Sequence, residues 1–195
     1  MILEAILCTI NSSGQPNFAP VGVHVADNRV MLRLYSGSNT YANLRQNKQG
    51  VICFSDDVLV FVETALFSSC PPYVPSVTVA PPTMANAGTV WETLVYGFDE
   101  TTEPAIILAE VVYSQENGSS FTGFCRAKMA VLEAAIAATR CHLAPELLMK
   151  YWHHWLVIVE KTGGTQEFQA FDRIHAYLKN KGMVLPTVSK ELWHA

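Results

Sequence analysis

Charge is scarce in this chain, and no part of the chain is strongly basic. Of its 195 residues 15% are charged, the formal net charge is -4 at pH 7, and lysine and arginine form no cluster. Proteins that bind a phosphate backbone neutralise it with such cations, so we expect no nucleic-acid partner. Hydrophobic residues make up 50% of the chain, which at this length suffices for a sizeable core and excludes a disordered protein.

Long apolar runs are also lacking. A membrane helix needs about 20 consecutive apolar residues, and even Trp155–Val159 is followed at once by two charged residues. The apolar run Met1–Ile10 lacks a basic start and contains Glu4, which favours a strand over a signal peptide. We expect no membrane association.

The cysteine pattern contains no CxxC pair. The five cysteines are Cys8, Cys53, Cys70, Cys125 and Cys141. Their number is odd, and most lie in apolar runs where a thiol behaves as a small hydrophobic group. This favours a reducing compartment, and we expect a cytoplasmic protein.

The first half of the chain is typical of strands and turns. Apolar runs between turn residues predict strands at 2–10, 16–25, 29–35, 50–55, 89–98 and 105–114. The polar run at 36–40 precedes a predicted short helix at 41–46, with Ser38 or Asn39 as its N-cap. For 56–66 the periodicity of the apolar residues does not distinguish a helix from a strand. Five prolines between 68 and 88 exclude regular structure over most of that segment, which we interpret as a long ordered loop or flap.

From Phe124 onward the pattern becomes helical. An alanine-rich helix is predicted at 126–140, where small residues permit close packing. Pro145 begins a second helix that ends at Gly163–Gly164, and Thr165 is the expected N-cap of a third. We therefore predict a barrel-type domain at 1–122 and a helical subdomain at 123–195, packed on it.

Two segments of the first half are suited to a ligand. In Ala19–Val23, Pro20 lacks a ladder donor and Gly22 leaves backbone uncovered, so a flat ligand can lie on this strand. The hydroxyls and first-turn amides at 36–40 suit an anion, because a helix start has unpaired N–H groups and a favourable dipole. An ordinary strand edge and an ordinary capped helix fit the same spacing.

The order of these elements resembles that of the FMN-binding split barrels, whose best-known branch is the pyridoxamine-phosphate-oxidase-like group. The strand Ala19–Val23 and the helix opening Ser36–Leu44 carry this resemblance. More closely, 1–22 and 126–133 are similar to the DUF447 group, and the similarity extends over most of the chain. The resemblance implies a six-stranded antiparallel split barrel, mainly β with α, a homodimer, and FMN in the groove between subunits.

The resemblance also assigns residues to the flavin. Beside the ring it places Pro20, Val21 and Gly22. Around the phosphate it places Ser36, Ser38, Asn39 and Thr40.

The phosphate lacks an obvious counter-charge. Where members of the oxidase branch place Arg or Lys next to the serine, this chain has the uncharged Asn39 and Thr40. An unpaired dianion in a partly buried site is costly, and helix amides offset only part of the cost. Candidate cations are Arg33, Arg126 and Lys128. The same departure argues against activity on pyridoxamine phosphate.

Other polar residues favour structural roles. His153 and His154 are adjacent on a predicted helix, so they point about 100° apart, and neither has an i+4 ligand. We expect no metal site. The acids Asp56, Asp57 and Glu63 fit a turn and a helix start, where the dipole favours them.

Three functions fit these features. The first is an FMN-dependent oxidoreductase in which the isoalloxazine carries the redox chemistry, so that no side-chain acid or base is assigned. The second is a flavin-binding module without turnover. The third is a cofactor-free dimeric interaction protein, which the missing Arg or Lys beside Ser38 favours.

Overall fold

The computed structural model describes residues 2–26, 28–117 and 126–188. They form two compact units. The first holds the chain up to Ser55 and resumes at Ser68, while the second holds Asp56–Phe67 and the C-terminal part. The segment Asp56–Phe67 therefore lies outside the barrel, contrary to our predicted range of 1–122, because its apolar side chains pack with the helices of the second unit.

The first unit is a closed antiparallel barrel of six strands, which confirms the predicted fold. In chain order its strands are β1 (Ile2–Ile10), β2 (Pro16–Ala26), β3 (Arg29–Leu34), β4 (Gln49–Phe54), β7 (Thr89–Asp99) and β8 (Ala105–Glu116). Around the barrel they follow the order β1-β2-β3-β8-β7-β4. Two short strands, β5 (Tyr73–Val74) and β6 (Thr83–Met84), pair with each other outside it.

The barrel interior is filled by alternate side chains of each strand. On β3, Val30, Leu32 and Leu34 are buried in the core, whereas Arg33 between them is exposed. Successive side chains of a strand point to opposite faces, so the apolar residues of β3 line the interior. Val21 and Val23 of β2 do the same.

A short helix, α1 (Asn39–Asn47), packs against β1 and β2. Its N-cap is Ser38, one of the two predicted caps, whose hydroxyl accepts a hydrogen bond from the Tyr41 N–H. Tyr41 and Leu44 are buried in the barrel core. These two side chains fix the position of α1 relative to β1 and β2.

The proline-rich segment between Ser68 and Gly88 is a loop apart from β5 and β6, as predicted. It is held by Glu92 of β7, which is 1% exposed. The Glu92 carboxylate accepts hydrogen bonds from the N–H groups of Val77 at 2.7 Å and Thr78 at 2.6 Å, and from that of Val79 at 3.2 Å. The Thr78 hydroxyl donates a further bond to it. One carboxylate therefore anchors the middle of the loop.

The described residues of the second unit form four helices. They are α2 (Val58–Leu66), α3 (Arg126–Thr139), α4 (Pro145–Thr162) and α5 (Thr165–Asn180). The segment 56–66, for which the sequence left helix and strand open, contains the helix α2. The side chain of its N-cap, Asp57, accepts hydrogen bonds from the N–H groups of Leu59 and Val60. The N-cap of α5 is Gly164 and not Thr165, because the Glu167 carboxylate accepts from the Gly164 N–H and begins the helix one residue earlier.

The core of this unit is built on small and aromatic side chains. The buried face of α3 consists largely of alanines, including Ala127 and Ala134, both fully buried. They permit the close packing expected of small residues. Trp152 of α4 stacks on Phe171 of α5 with 4.4 Å between ring centroids.

Candidate functional site

Strand β2 has an open edge where the ring of a flavin was predicted to lie. It pairs with β1 from Pro16 to His24 but with β3 only from Val23 to Ala26. Within the described residues, Pro20, Val21 and Gly22 therefore have no backbone partner on the β3 side. The side chain of Val21 lies in the barrel core, so only its backbone can face a ligand, while Pro20 and Gly22 lie on the outer face.

The start of α1 offers unpaired donors. Among the described residues, the N–H groups of Asn39 and Thr40 have no hydrogen-bond partner, whereas those of Tyr41 and Ala42 bond to Ser38. No acidic residue lies in the first turn. Free amides at the positive end of a helix dipole form a site for an anion.

A polar network joins this helix start to the strand. Asn17 of β2 donates its side-chain amide to the Thr40 hydroxyl at 3.1 Å, and Asn43 of α1 donates to the Thr9 hydroxyl of β1 at 3.0 Å. Thr40 is 5% exposed. Because an accepting hydroxyl keeps its own proton to donate, Thr40 can still bond to an anion. The network brings the start of α1 close to β2 at Asn17, which is three residues before Pro20 on the same strand.

The acidic turn between β7 and β8 contacts the same loop. The Glu103 carboxylate accepts a hydrogen bond from the Ser36 N–H at 2.9 Å. Glu100 accepts a hydrogen bond from the Tyr41 hydroxyl and pairs with Arg45 at 3.2 Å. The hydrogen bond to Glu100 raises the pKa of Tyr41. A carboxylate thus occupies one amide of the segment predicted to hold a phosphate.

The three candidate cations are divided between the two units. Arg33 is exposed on the outer face of β3. It directly follows Leu32, the last residue of β3 that pairs with β2, where its partner is Val23. Among the described residues it has no ion-pair partner. Arg126 begins α3 and Lys128 forms a 2.8 Å ion pair with Asp56, so both belong to the helical unit. Of the three, Arg33 alone is in the unit that contains the predicted phosphate loop.

The strand and the loop were predicted from the sequence, but their polar supports were not. Nothing in the sequence pairs Asn17 with Thr40, since both residue types are common in turns and caps. Glu103 lies between the predicted strands 89–98 and 105–114, in a connection for which the sequence predicts no functional residue. Glu92 does carry a signal, because it is the one charged residue in the mostly apolar predicted strand 89–98.

The two adjacent histidines are exposed, and two of the cysteines are buried. His153 and His154 are both exposed on α4, and the part of the chain that the structure describes contains no group of three metal-ligating side chains. Burial raises the pKa of the Cys8 thiol and raises that of Cys53 to about 11, so both remain protonated at neutral pH and are not nucleophiles. None of the described helices has the length and apolar character of a membrane span.

Comparison with known proteins identifies the class. An FMN-bound protein of Methanosarcina mazei shares 24% sequence identity over 90% of this chain and 94% of its own, with a TM-score of 0.80. An FMN-binding protein of Thermus thermophilus, with bound p-hydroxybenzaldehyde, shares 14% identity over 59% of this chain and 71% of its own, with a TM-score of 0.52. A Streptomyces globisporus NADH:FAD oxidoreductase shares 13% identity over 58% and 73%, with a TM-score of 0.52. Among curated proteins, none matches the sequence.

These similarities define the fold as a split barrel of the kind found in flavin-binding proteins. Two family models match the sequence, both described as a protein of unknown function (DUF447). The model of the N-terminal domain covers residues 3–118, and the second covers residues 125–176. The chain belongs to the DUF447 family.

Proposed function

We propose that this protein binds FMN, with the ring beside Pro20–Gly22 and the phosphate at the start of α1. The observation that carries the proposal is the contact of Asn17 with Thr40, which joins the open edge of β2 to a helix start with two free amides. The fold shared with an FMN-bound member of the family supports it.

The residues present are chemically suited to FMN. A flat ring needs a surface of exposed backbone, and the outer face of β2 at Pro20 and Gly22 supplies one. The phosphate needs donors, and the N–H groups of Asn39 and Thr40 supply two. Arg33 is the candidate for the counter-charge, since it is exposed in the unit that contains the phosphate loop and has no ion-pair partner among the described residues, whereas Lys128 is already paired with Asp56.

We further propose a homodimer with FMN in the groove between two barrels. The outer face of β7 and β8 carries exposed apolar side chains that support it: Leu94 is 37% exposed, Tyr96 56% and Val112 40%. Exposed apolar residues grouped on one face often mark an interface. The buried free thiols Cys8 and Cys53 support a cytoplasmic location.

The proposed reaction class is flavin-dependent oxidoreduction. When bound, FMN supplies hydride or single-electron transfer. The protein's own part is to orient the ring on β2, to hold the phosphate at α1, and to keep solvent from the covered face of the ring.

The visible spectrum of freshly purified protein tests the proposal. We expect a yellow protein whose heat-released pigment is FMN and whose colour is bleached by a reduced nicotinamide or deazaflavin and restored by an acceptor. Replacing Ser38 and Thr40 together with alanine should lower FMN affinity while the fold is retained. A colourless protein that does not bind added FMN would show that the proposal is wrong.

A cofactor-free interaction protein is the second candidate, and one observation favours it. Glu103 holds the Ser36 amide at 2.9 Å, which places a negative charge beside the predicted phosphate loop. The same spectrum separates the two functions. Bound FMN that no reductant bleaches would instead indicate a flavin carrier.

A further inference from the structure

An open groove runs between α3 and α4 of the helical unit. Its volume is about 470 Å³. Apolar and polar side chains of both helices line it, among them Glu133, Ile136, Ala137, Leu147, Tyr151 and Trp155. The two helices are joined by a five-residue turn, so they are antiparallel. The groove lies at the end of the hairpin next to this turn, between 133–140 and 144–155.

The rim of this groove is unusually apolar for a surface. Leu147 is 50% exposed and Tyr151 40%, and Leu143, in the turn that joins the two helices, is 72% exposed. Leu143 is not among the residues that line the groove, so a small ligand in the groove would leave it exposed. An occupant that covers all three must be larger, and apolar surface of this kind marks contacts between proteins.

Two opposite charges bracket the groove on the α3 side. Glu133 lies in α3, and Arg140 follows the last residue of α3 by one position. Seven positions separate them, which is roughly 10 Å along a helix, and they form no ion pair with each other. Among the described residues neither has an ion-pair partner, and both are exposed.

The spacing of these charges is self-complementary. Their midpoint falls between Ile136 and Ala137, which also line the groove. In a contact with two-fold symmetry, if residue i touches residue j of the other copy, then j also touches i. Two antiparallel α3 helices that cross at this midpoint therefore bring Glu133 opposite Arg140 twice.

We propose that this groove is a contact surface for a second copy of the same chain. Glu133 pairs with Arg140 of the partner subunit across a two-fold axis near Ile136 and Ala137. The small side chain of Ala137 allows the two helices to approach closely at the axis, and the apolar rim supplies most of the buried area. This contact is separate from the barrel face proposed above and does not depend on FMN binding.

Charge reversal tests the pairing. We expect Glu133→Arg and Arg140→Glu each to weaken self-association about tenfold, because each creates two like-charge pairs in the symmetric contact. An equimolar mixture of the two variants should associate as wild type does, since each supplies the charge that the other lacks. Sedimentation velocity over a concentration series measures this. Lys179→Glu on α5, an exposed change of the same size as Arg140→Glu, is the control and should have no effect.

A cross-link locates the axis whether or not the barrels also associate. In a background with Cys70, Cys125 and Cys141 replaced by serine, Ala137→Cys should form a disulfide between two copies under mild oxidation, and Gln169→Cys on α5 should not. Any of three results would overturn the proposal. They are single charge reversals that associate like wild type, a mixture of the two variants that does not recover association, and an Ala137→Cys protein that forms no cross-link. The visible spectrum of the same samples reports FMN binding separately.

Discussion

The side-chain amide of Asn17 donates a hydrogen bond to the hydroxyl of Thr40 at 3.1 Å, so that strand β2 and the first turn of α1 meet at one point. The Thr40 hydroxyl uses its lone pair for this bond and keeps its proton for a ligand. Asn17 thus orients a group that, in the proposed function, donates to the flavin phosphate. Asn17 is a positioning residue, since it acts through Thr40.

This relationship predicts non-additive losses of FMN affinity. Asn17→Ala should weaken FMN binding about fivefold, which corresponds to one hydrogen bond of about 1 kcal/mol. Thr40→Val should weaken it at least as much, and the double variant should bind FMN no more weakly than Thr40→Val alone, because Asn17 reaches the proposed phosphate site through that hydroxyl. The second bond of Asn17, to the Thr9 hydroxyl at 3.5 Å, leads to β1 and not to the ligand. Fluorescence titration with FMN measures all three.

Asn28→Ala, in the turn between β2 and β3, is the control for these variants. Asn28 is an exposed asparagine, so its replacement should leave the affinity unchanged. Additive losses from Asn17→Ala and Thr40→Val would show that the two side chains act independently and would contradict the orienting role.

Arg33 should supply the charge that the phosphate requires. Arg33→Gln is expected to weaken FMN binding about tenfold at low ionic strength and less in high salt, since an exposed pair is screened. Riboflavin, which has the ring but no phosphate, should bind the variant as well as it binds wild type. Arg29→Gln on the same strand, also exposed, is the matched control. Equal losses for FMN and riboflavin would place Arg33 at the ring instead.

Glu103 should act against the phosphate. Its carboxylate holds the Ser36 amide, so Glu103→Gln removes a negative charge beside the predicted phosphate loop. We expect FMN affinity to rise about threefold to tenfold, with riboflavin affinity unchanged. Glu116→Gln, at the exposed end of β8, is the control. If Glu103→Gln lowered FMN affinity, Glu103 would support the loop and not compete for it.

The strands, the loop and the Ser38 cap were predictable because their signals are local. Ser38 lies three residues before the Tyr41 amide that it caps, and β1 is separated from β2 by a turn of five residues. The position of α2 was not predictable in the same way. Val58–Leu66 is apolar on most sides and rich in β-branched residues, which blurs the difference between helix and strand.

The partners of α2 are also remote in the sequence. Glu63 pairs with Arg173 at 2.7 Å, across 110 residues. A contact of that separation leaves no local pattern, so the sequence placed 56–66 with the barrel strands that flank it. The same holds for the contact of Asn17 with Thr40, 23 residues apart.

Glu92 predicts a pH dependence of the proline-rich loop. Burial alone raises the pKa of this carboxyl, but the Thr78 hydroxyl and the amides of Val77, Thr78 and Val79 outweigh burial, and the pKa is lowered from 4.5. A group whose folded pKa lies below its unfolded value stabilises the fold above the unfolded value. The stabilisation is lost as the pH falls through the folded pKa. The anchor should therefore hold at pH 7 and weaken in the acid range below about 4.5.

Glu92→Gln tests this anchor. A glutamine has one carbonyl oxygen for four donors, so the variant should be less stable than wild type by about 1–3 kcal/mol at pH 7. The difference should shrink as the pH is lowered, because protonation removes the same charge from wild type. Denaturant unfolding between pH 3 and pH 7 measures it, and hydrogen exchange at the amides of Val77 and Thr78 should report the loosened loop directly. Glu110→Gln is the control, since Glu110 is exposed on β8. If the stability difference between Glu92→Gln and wild type stayed constant with pH, Glu92 would act through its shape and not through its charge.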